Sequence, residues 1–441
     1  MSAGEARQKA TAALAEAADK VKRLQAIEPF LIDLSLRENP VGARVGQTLA
    51  DKLAILPRLR EFGFKNISLG TLDYAIPDEL EVDDDFMLKL RDTGADFTGC
   101  FAFTAVGLVD EQGNFIPDPS QLKLRDYGVP NTVHEIYLCP RNMRGMYNYE
   151  TLRRSIPESV MWLMENIRGE KGAAPRIFIN IVDGCDAFAD APEETLSILE
   201  MLAGLPLEGV TFEDDRGTYL PCQVGACTAA VRAMLPAPMK VLVHIHAGAG
   251  YENASVIEAL LNGADGIWGG LPKRAAVIGH ASIGELLANL ARIGNASVAR
   301  DYHLHELLPL ATGLQVVDEE APVPEDLPIL GSNAYRVSLA SFRQVPDQKN
   351  DLPAEAIGGV SRYRVCPVVS DTVAVAGRLA EVNGVDASAF APDVIEMMIR
   401  LMRRDLRAGL RTPYDEPDRL LELHARAIEA CRAVTESAHE H

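Results

Sequence analysis

The chain has 441 residues, of which 47% are hydrophobic and 24% charged, so it is long enough to bury a large core. Its formal net charge of −20 at pH 7 argues against a phosphate backbone or an anionic membrane surface as the main partner. We therefore expect neither nucleic acid nor a membrane among its partners.

Short strand-like runs alternate with helical patterns along the first 300 residues. Residues 4–26 form the pattern of an exposed amphipathic helix that leads into the first strand. Strands are predicted at 30–36, 66–71, 96–104, 132–139, 176–183, 209–214, 240–247 and 266–270. Helical stretches lie between and after them, such as "LADKLAILPRLREF", "YETLRRSIPESVMWLMENIR", "APEETLSILEMLAG", "ENASVIEALLNG" and "SIGELLANLARIG".

This alternation predicts an α/β fold built as a (β/α)8 TIM barrel, because eight β-then-α units in about 270 residues match the repeat and the length of that fold. A doubly wound open sheet alternates in the same way, and the count of eight favours the barrel. Residues 310–355 are rich in proline and acid, and a mainly helical end follows from about 386 to 437. We therefore predict an N-terminal helix over 1–28, the barrel over 29–300, and a linker and helical C-terminal region over 301–441.

Cysteine usage and the N-terminus bear on the compartment. The seven cysteines are scattered, odd in number and never spaced CxxC, which is typical of a reducing compartment rather than of a disulfide framework. The stretch "MSAGEARQKATAALAEAADK" lacks the apolar segment of a secretory signal, and no apolar run approaches the length of a membrane span. We expect a cytoplasmic protein.

Two histidines interrupt the seventh predicted strand, in "VLVHIHAGAG". Because strand side chains alternate between faces, His244 and His246 point the same way, about 7 Å apart along the strand. Two neutral imidazoles at this spacing can bind one divalent ion. A pair of hydrogen-bonded core histidines is the competing interpretation, and the pattern alone does not choose between them.

The first strand supplies a carboxylate to the same end of the barrel, where the working residues of this fold lie. "DLSLREN" places Arg37 and Glu38 at this rim, with Asp33 behind them on the face of Arg37. A surface ion pair would leave the same Arg–Glu pattern. The convergence of a carboxylate with two imidazoles favours a metal site, for which Mg²⁺, Mn²⁺, Fe²⁺ and Zn²⁺ are all suitable.

Two further segments reach the rim. The sixth strand ends in "FEDDRG", which offers Asp214, Asp215 and Arg216, although the aspartates could simply cap the next helix. After the eighth strand, "IGHASIGEL" places His280 just before a helix.

Four motifs in the same order and at similar spacing resemble the metal-dependent barrel enzymes that include isopropylmalate synthase, homocitrate synthase and hydroxymethylglutaryl-CoA lyase, which share a pyruvate carboxyltransferase-type domain. The family has D-x-T-L-R-[DE]-G-E-Q, D-T-x-G-x-x-x-P and H-x-H-N-D-x-G where this chain has "DLSLREN", "DDRGTYLP" and "HIHAGAG". After the barrel, "LPILGSNAYRVSLAS" resembles the synthases' P-x-V-G-x-N-A-F-x-H-E-S-G-I-H. The resemblance covers roughly residues 29–345.

The resemblance implies roles for individual residues. Glu38, His244 and His246 match the family's metal ligands, and His280 falls where several relatives place an asparagine near the metal, so we expect it as a fourth ligand. Arg37 matches the arginine that steadies the carbonyl or enolate oxygen of the substrate. In such a site a 2-oxo acid chelates one divalent ion (Mg, Mn, Zn or Fe), and Arg37 stabilises the oxygen on which charge develops.

The departures from the family pattern lie at substrate contacts rather than at the metal. "GEQ" is replaced by "NPV", "ND" by "AG", and "HESGIH" by "RVSLAS", so the histidine linked with proton abstraction is missing. Asp215 stands where the family has threonine. We expect a replacement base or substrate contact from Asp215, His134 and Asp183, with Tyr137 and Lys273 as further candidates.

The resemblance implies a Claisen- or aldol-type acyltransferase that joins a 2-oxo acid to an acyl-CoA or another enolisable partner. A lyase that cleaves a 3-hydroxy acid or a hydroxyacyl-CoA is the alternative enzyme, but the lyases lack a long C-terminal region and this chain has about 140 residues after the barrel. A non-catalytic metal-binding homologue is the third interpretation, supported by the missing histidine. Because related synthases pair through the region after the barrel, we expect a homodimer.

Overall fold

The computed structural model describes residues 1–72, 79–143, 147–272, 276–339 and 352–439, with side chains up to residue 435. The chain divides into two compact units, Met1–Val323 and Pro324–His441. In these described ranges, no helix combines the length and the apolar character needed to cross a membrane.

Eight parallel strands close into a barrel in the first unit. In chain order they are β1 (Phe30–Asp33), β2 (Ile67–Thr71), β3 (Cys100–Ala105), β4 (Asn131–Ile136), β5 (Ile177–Ile181), β6 (Gly209–Asp214), β7 (Lys240–Ile245) and β8 (Gly266–Gly269). Each strand pairs with its neighbours in sequence, and β8 pairs with β1 to close the ring. The predicted (β/α)8 barrel is confirmed, and each strand overlaps the segment predicted for it.

One helix, α1 (Ala3–Ala26), precedes β1, and the others follow the strands as the alternating pattern predicts. The others are α2 (Leu49–Phe62), α3 (Val82–Asp92), α4 (Pro119–Tyr127), α5 (Tyr149–Asn166), α6 (Gly184–Asp190), α7 (Pro192–Ala203), α8 (Pro221–Met234), α9 (Glu252–Leu261), α10 (Ile283–Arg292), α11 (Ala296–Asp301) and α12 (Leu307–Glu319). Local chemistry sets the starts: Thr48 and Asp51 form a capping box on α2, and proline occupies the first turn of α4, α7 and α8. A short antiparallel hairpin, Leu108–Val109 with Phe115–Ile116, precedes α4.

Apolar side chains fill the barrel interior and include a stacked pair, Phe103 and Trp268, whose ring centroids lie 4.8 Å apart. The cluster comprises Ile32, Leu34, Phe101, Phe103, Val133, Phe178, Leu242 and Trp268. Because strand side chains alternate, the next inward positions toward the carboxyl ends lie two residues further on. Those positions hold Glu135, Asn180 and His244. The apolar core therefore ends in a polar layer at the carboxyl end of the barrel.

The second unit is mainly helical, as predicted for the C-terminal region. It contains α13 (Thr372–Asn383), α14 (Pro392–Arg407) and α15 (Pro417–His439), with a two-residue parallel ladder between Arg336–Val337 and Arg362–Tyr363. The three helices share a core of buried residues that includes Leu379, Met398, Met402, Leu420 and Leu423.

Candidate metal centre

The first strand ends earlier than the sequence predicts, and the turn that follows places Arg37 and Glu38. Their amides both donate to the Leu34 carbonyl, at 2.9 and 2.7 Å. The carboxylate of Asp33 accepts from the Ser35 amide and hydroxyl at 3.1 and 2.8 Å and so holds the turn. The prediction that Asp33 and Arg37 share one face of an extended strand is therefore wrong, because the chain turns at this point.

Glu38, His244 and His246 converge at the carboxyl end of the barrel. Ligand atoms from the three side chains all lie within 4.8 Å of one another, and all three residues are buried. The imidazole rings of His244 and His246 are 4.7 Å apart and nearly perpendicular, at 85°. The structure thus brings together the carboxylate and the two imidazoles that the sequence nominates as metal ligands.

The hydrogen bonding of the two imidazoles fits a bound cation. Nδ1 of His244 lies 2.8 Å from the Trp268 carbonyl, which can only accept, so Nε2 keeps its lone pair. Nδ1 of His246 is buried and has no hydrogen-bond partner among the residues that the structure describes. A buried polar atom without a partner is costly unless a ligand satisfies it. Two imidazoles and a carboxylate form a donor set suited to a divalent ion.

Electrostatics keeps Glu38 and His244 in metal-binding protonation states. Burial alone would favour the neutral acid of Glu38, but the Arg37 guanidinium and the neighbouring imidazoles outweigh it and lower the pKa to about 2. Burial and the proximity of His246 lower the pKa of His244 well below its ordinary value. An ionised carboxylate and a neutral imidazole are the forms that bind metal ions.

Arg37 is fixed beside the cluster by contacts on three sides. It pairs with Glu38, its Nη2 lies 3.0 Å from Oε1 of Glu135, and its Nε donates to Oγ1 of Thr71 at 2.9 Å. The guanidinium lies over the Phe103 ring, 4.0 Å from the centroid. A permanent cation is therefore held rigidly next to the three candidate ligands.

A cavity of about 480 Å³ opens beside Arg37, between the loops after β1 and β2. Thr71 and Lys52 contribute polar groups to its wall, and Val41 and Leu80 contribute apolar ones. The volume is in the range of small-molecule sites.

His280 lies next to the cluster, and its ring centroid is 5.2 Å from that of His244. Both of its ring nitrogens, however, contact backbone groups. Nδ1 faces the Ala281 carbonyl at 2.9 Å, and Nε2 accepts from the Gly270 amide at 3.2 Å. A role as fourth ligand would require Nε2 to leave Gly270. The observed arrangement therefore does not support the fourth ligand expected from the resemblance.

His134 lies outside the site, so the structure does not support the substrate contact predicted for it. Its neighbours Val133 and Glu135 face the barrel interior, so the imidazole points toward α4. Its Nδ1 lies 2.6 Å from the Thr104 hydroxyl, and its Nε2 lies 3.2 Å from the Gln121 amide. His134 is a fully buried, hydrogen-bonded core histidine.

Asp183 also serves the fold rather than the site. Its carboxylate accepts from the amides of Leu138 and Cys139 at 2.8 and 2.9 Å, and from the Asn142 side chain at 2.9 Å. The side chain is fully buried and anchors the loop after β4. The predicted substrate contact does not fit these internal bonds.

Asp215, by contrast, remains partly exposed at the rim, where a substrate can reach it. Nη1 of Arg216 lies 3.9 Å from its Oδ1, and burial together with neighbouring carboxylates raises the pKa of Asp215. Tyr137 is half-buried nearby, and burial with the charges of Glu135 and Glu213 raises its pKa to about 12. Lys273 lies outside the described residues.

Sequence reasoning missed two carboxylates that line the site, Glu135 and Glu213. Each occupies the last but one residue of its strand, just inside the rim. The available signal was alternation, since Glu135 follows the inward-facing Val133 by two residues. Glu213 is 5% exposed, and its Oε2 lies 3.7 Å from Nε2 of His246.

The chain is similar to one characterised synthase in sequence and to lyases in fold. No family model matches the sequence. The chain is 23% identical to (R)-citramalate synthase from Streptomyces coelicolor over 427 residues, which span 92% of this chain and 75% of that protein.

Solved structures of similar fold include HMG-CoA lyase from Bacillus subtilis, with a TM-score of 0.53 and 17% identity, covering 68% of this chain and 97% of the lyase. An HMG-CoA lyase from Acinetobacter baumannii, in complex with coenzyme A and 3-methylmalate, has a TM-score of 0.52 and 17% identity, covering 69% and 98%. These two structures establish the fold of the barrel.

Proposed function

We propose that this divergent homologue of the pyruvate carboxyltransferase-type barrel enzymes joins a 2-oxo acid to an acyl-CoA, or to another enolisable partner, with the help of one divalent metal ion. The observation that carries the proposal is the convergence of Glu38, His244 and His246 beside Arg37. The homologue named (R)-citramalate synthase supports a condensing acyltransferase.

The side chains have distinct roles in this reaction. Glu38, His244 and His246 would hold the ion, and Mg²⁺, Mn²⁺, Zn²⁺ and Fe²⁺ all suit that donor set. When bound, the ion supplies Lewis acidity that polarises the carbonyl of the oxo acid. Arg37 stabilises the negative charge that develops on the carbonyl oxygen as the carbon nucleophile adds. The cavity beside Arg37 gives the acyl partner room to approach.

Negative charge at the rim limits which 2-oxo acids can bind. Glu135, Glu213 and Asp215 all raise the pKa of Tyr137 and therefore lie around one region of the rim. A second carboxylate on the substrate would be repelled there. We infer that the oxo acid is a monocarboxylate with a small uncharged side chain.

Thiol release tests the proposed reaction. The purified protein is stripped of metal, reloaded with one metal at a time, and mixed with acetyl-CoA and single 2-oxo acids. We expect free thiol only when metal and one oxo acid are both present, because water then hydrolyses the thioester of the condensation product and releases coenzyme A. The mass spectrum should show a hydroxy dicarboxylic acid that equals the oxo acid plus one acetic acid unit. His244→Ala should abolish both metal binding and thiol release. His305→Ala, at a 68% exposed histidine, is the matched control and should preserve both.

The alternative functions give different results in the same assay. Thiol release from a hydroxyacyl-CoA without a second substrate would identify a lyase. Bound metal with neither turnover nor oxo-acid binding would identify a non-catalytic barrel. The expected homodimer stays a prediction, which light scattering on the full chain would check.

A further inference from the structure

A ring of polar contacts beside the turn after β1 is centred on Asp83, the second residue of α3. Oδ2 of Asp83 accepts from the backbone amide of Thr71, at the end of β2, at 2.8 Å. Its Oδ1 lies 2.6 Å from Nζ of Lys52, a residue of α2. One carboxylate thus connects β2, α2 and α3.

Both ends of this ring reach the turn that carries Arg37. Lys52 donates to the carbonyl of Leu36, and Oγ1 of Thr71 accepts from Nε of Arg37 at 2.9 Å. Because Leu36 and Arg37 are consecutive, Asp83 is connected to the backbone of the turn through Lys52 and to the guanidinium through Thr71. The four polar side chains of the ring also line the cavity of about 480 Å³, so a change in the ring would change the surface that a substrate meets.

The ring is shielded from water. The side chains of Lys52 and Asp83 are 2% and 18% exposed, and Thr71 is buried. A buried ammonium needs a counter-charge, which Asp83 supplies. Gly70 leaves room for the carboxylate, because a Cβ at that position would collide with Asp83. The sequence at the end of β2 therefore admits Asp83 next to Thr71.

An acidic residue in the first turn of a helix also stabilises the helix through its dipole. Asp84 and Asp85 occupy the same turn as Asp83, and Asp85 achieves this effect while exposed to water. The dipole alone does not account for the two inward contacts of Asp83.

We propose that Asp83 is a positioning residue, which holds Thr71 and Lys52 so that the guanidinium of Arg37 stays aligned beside Glu38. The motifs that carry the family resemblance lie outside β2 and α3, so the resemblance assigns no role to Asp83. This proposal rests on the part that Arg37 plays in the proposed function.

The first test examines Arg37 without metal or substrate. Proton–nitrogen spectra of the arginine side chains, with the Arg37 signal assigned from Arg37→Lys, report how fast its Nε–H exchanges with water. Asparagine has one acceptor oxygen where aspartate has two, so Asp83→Asn cannot keep both contacts. We expect this exchange to become about 10-fold faster, the size of change that follows the loss of one hydrogen bond. Asp85→Asn, in the same turn of α3, is the matched control and should keep the wild-type rate.

Thr71→Val is a second variant, which removes the acceptor of Arg37 but leaves the ion pair between Asp83 and Lys52 intact. It should speed the Nε–H exchange of Arg37 to a similar extent. Thr71→Ser keeps a hydroxyl and should restore slow exchange.

The second test measures thiol release by the metal-loaded protein. We expect kcat to fall about 10- to 100-fold in Asp83→Asn and in Thr71→Val, as for a small displacement of a group that acts on the substrate. One equivalent of metal should still bind, and Thr71→Ser should recover most of kcat. The double variant should lose no more than Asp83→Asn alone, because both changes break the same path to Arg37.

Two results would overturn the positioning role: wild-type exchange at Arg37 in a folded Asp83→Asn variant, or losses of kcat that multiply in the double variant. The exchange measurement omits the substrates. A chain that shows the expected exchange but condenses no oxo acid would therefore support the ring of contacts and refute the proposed function alone.

Discussion

Nη2 of Arg37 and Oε1 of Glu135 lie 3.0 Å apart, which ties the turn after β1 to a strand three positions away around the barrel. Both side chains are largely buried, so the contact is shielded from water and salt. Thr71 of β2 accepts from the same guanidinium. The position of Arg37 therefore depends on the several N–H donors of its guanidinium and not only on its charge.

Arg37→Lys tests this dependence. Lysine keeps the charge but cannot reach Glu38, Glu135 and Thr71 at once. We expect kcat for thiol release to fall about 100- to 1000-fold, the usual loss when a donor to a developing oxyanion is removed. One equivalent of metal should still bind. Arg300→Lys, at an exposed arginine, should behave as wild type, and a wild-type kcat for Arg37→Lys would exclude Arg37 from the chemistry.

His134 should affect stability and its pH dependence but not turnover. Burial lowers its pKa from 6.5 to about 4, so between these values the unfolded chain binds more protons than the folded protein. The free energy of unfolding therefore falls as the pH drops through this window. From pH 7 to pH 5 we expect the wild type to lose about 2 kcal/mol more than His134→Gln, measured by urea unfolding. A folded His134→Gln variant with impaired oxo-acid binding would return His134 to the site.

The fold could be predicted because its signals are local. The strand predicted over 209–214 agrees with the structure to the residue, since an apolar run with β-branched residues is bounded by a glycine and an acidic turn. The predicted end of β1, at residue 36, lies beyond the observed end at Asp33. Ser35 and Leu36 are as buried as the strand itself, so the hydrophobic pattern continues past Asp33. The hydrogen bonds from Ser35 to Asp33, which form the turn, cannot be recognised from that pattern.

The candidate site could be predicted only where its residues lie within recognisable motifs. Glu38, His244 and His246 belong to two short motifs at strand ends, so their convergence followed from the barrel. The position of Glu213 in the site depends on which face of β6 lines the barrel interior and on its contact with His246, at the end of β7. The imidazole of His134 makes it a candidate in the sequence, but its position on the outer face of β4 makes it a hydrogen-bonded core residue.

Lys52 is predicted to stabilise the loop that carries Arg37. It is 2% exposed, its Nζ lies 2.6 Å from Oδ1 of Asp83, and it also donates to the carbonyl of Leu36. Lys52→Met leaves Asp83 without this cation and should lower the free energy of unfolding by about 3–5 kcal/mol. Thermal and urea unfolding of Lys52→Met and of the wild type measure this loss.

The matched control for this pair is Lys65→Met. Lys65 forms an ion pair of similar type with Asp301, but its side chain is 73% exposed, so we expect a loss of about 0–1 kcal/mol. Equal losses in the two variants would show that burial of Lys52 adds nothing.

Asp215 should set the preference for the charge of the oxo acid. It stands where the family has threonine. Because its side chain is 28% exposed at the rim, it repels a second substrate carboxylate more weakly than a buried charge would. In the wild type we expect a higher kcat/KM for oxo acids with neutral side chains than for dicarboxylates. Asp215→Asn should shift this ratio toward dicarboxylates by about 3- to 10-fold, and the shift should shrink with added salt. Asp92→Asn, at an exposed aspartate of α3, is the control. An unchanged ratio in Asp215→Asn would mean that the charge of Asp215 does not reach the bound oxo acid.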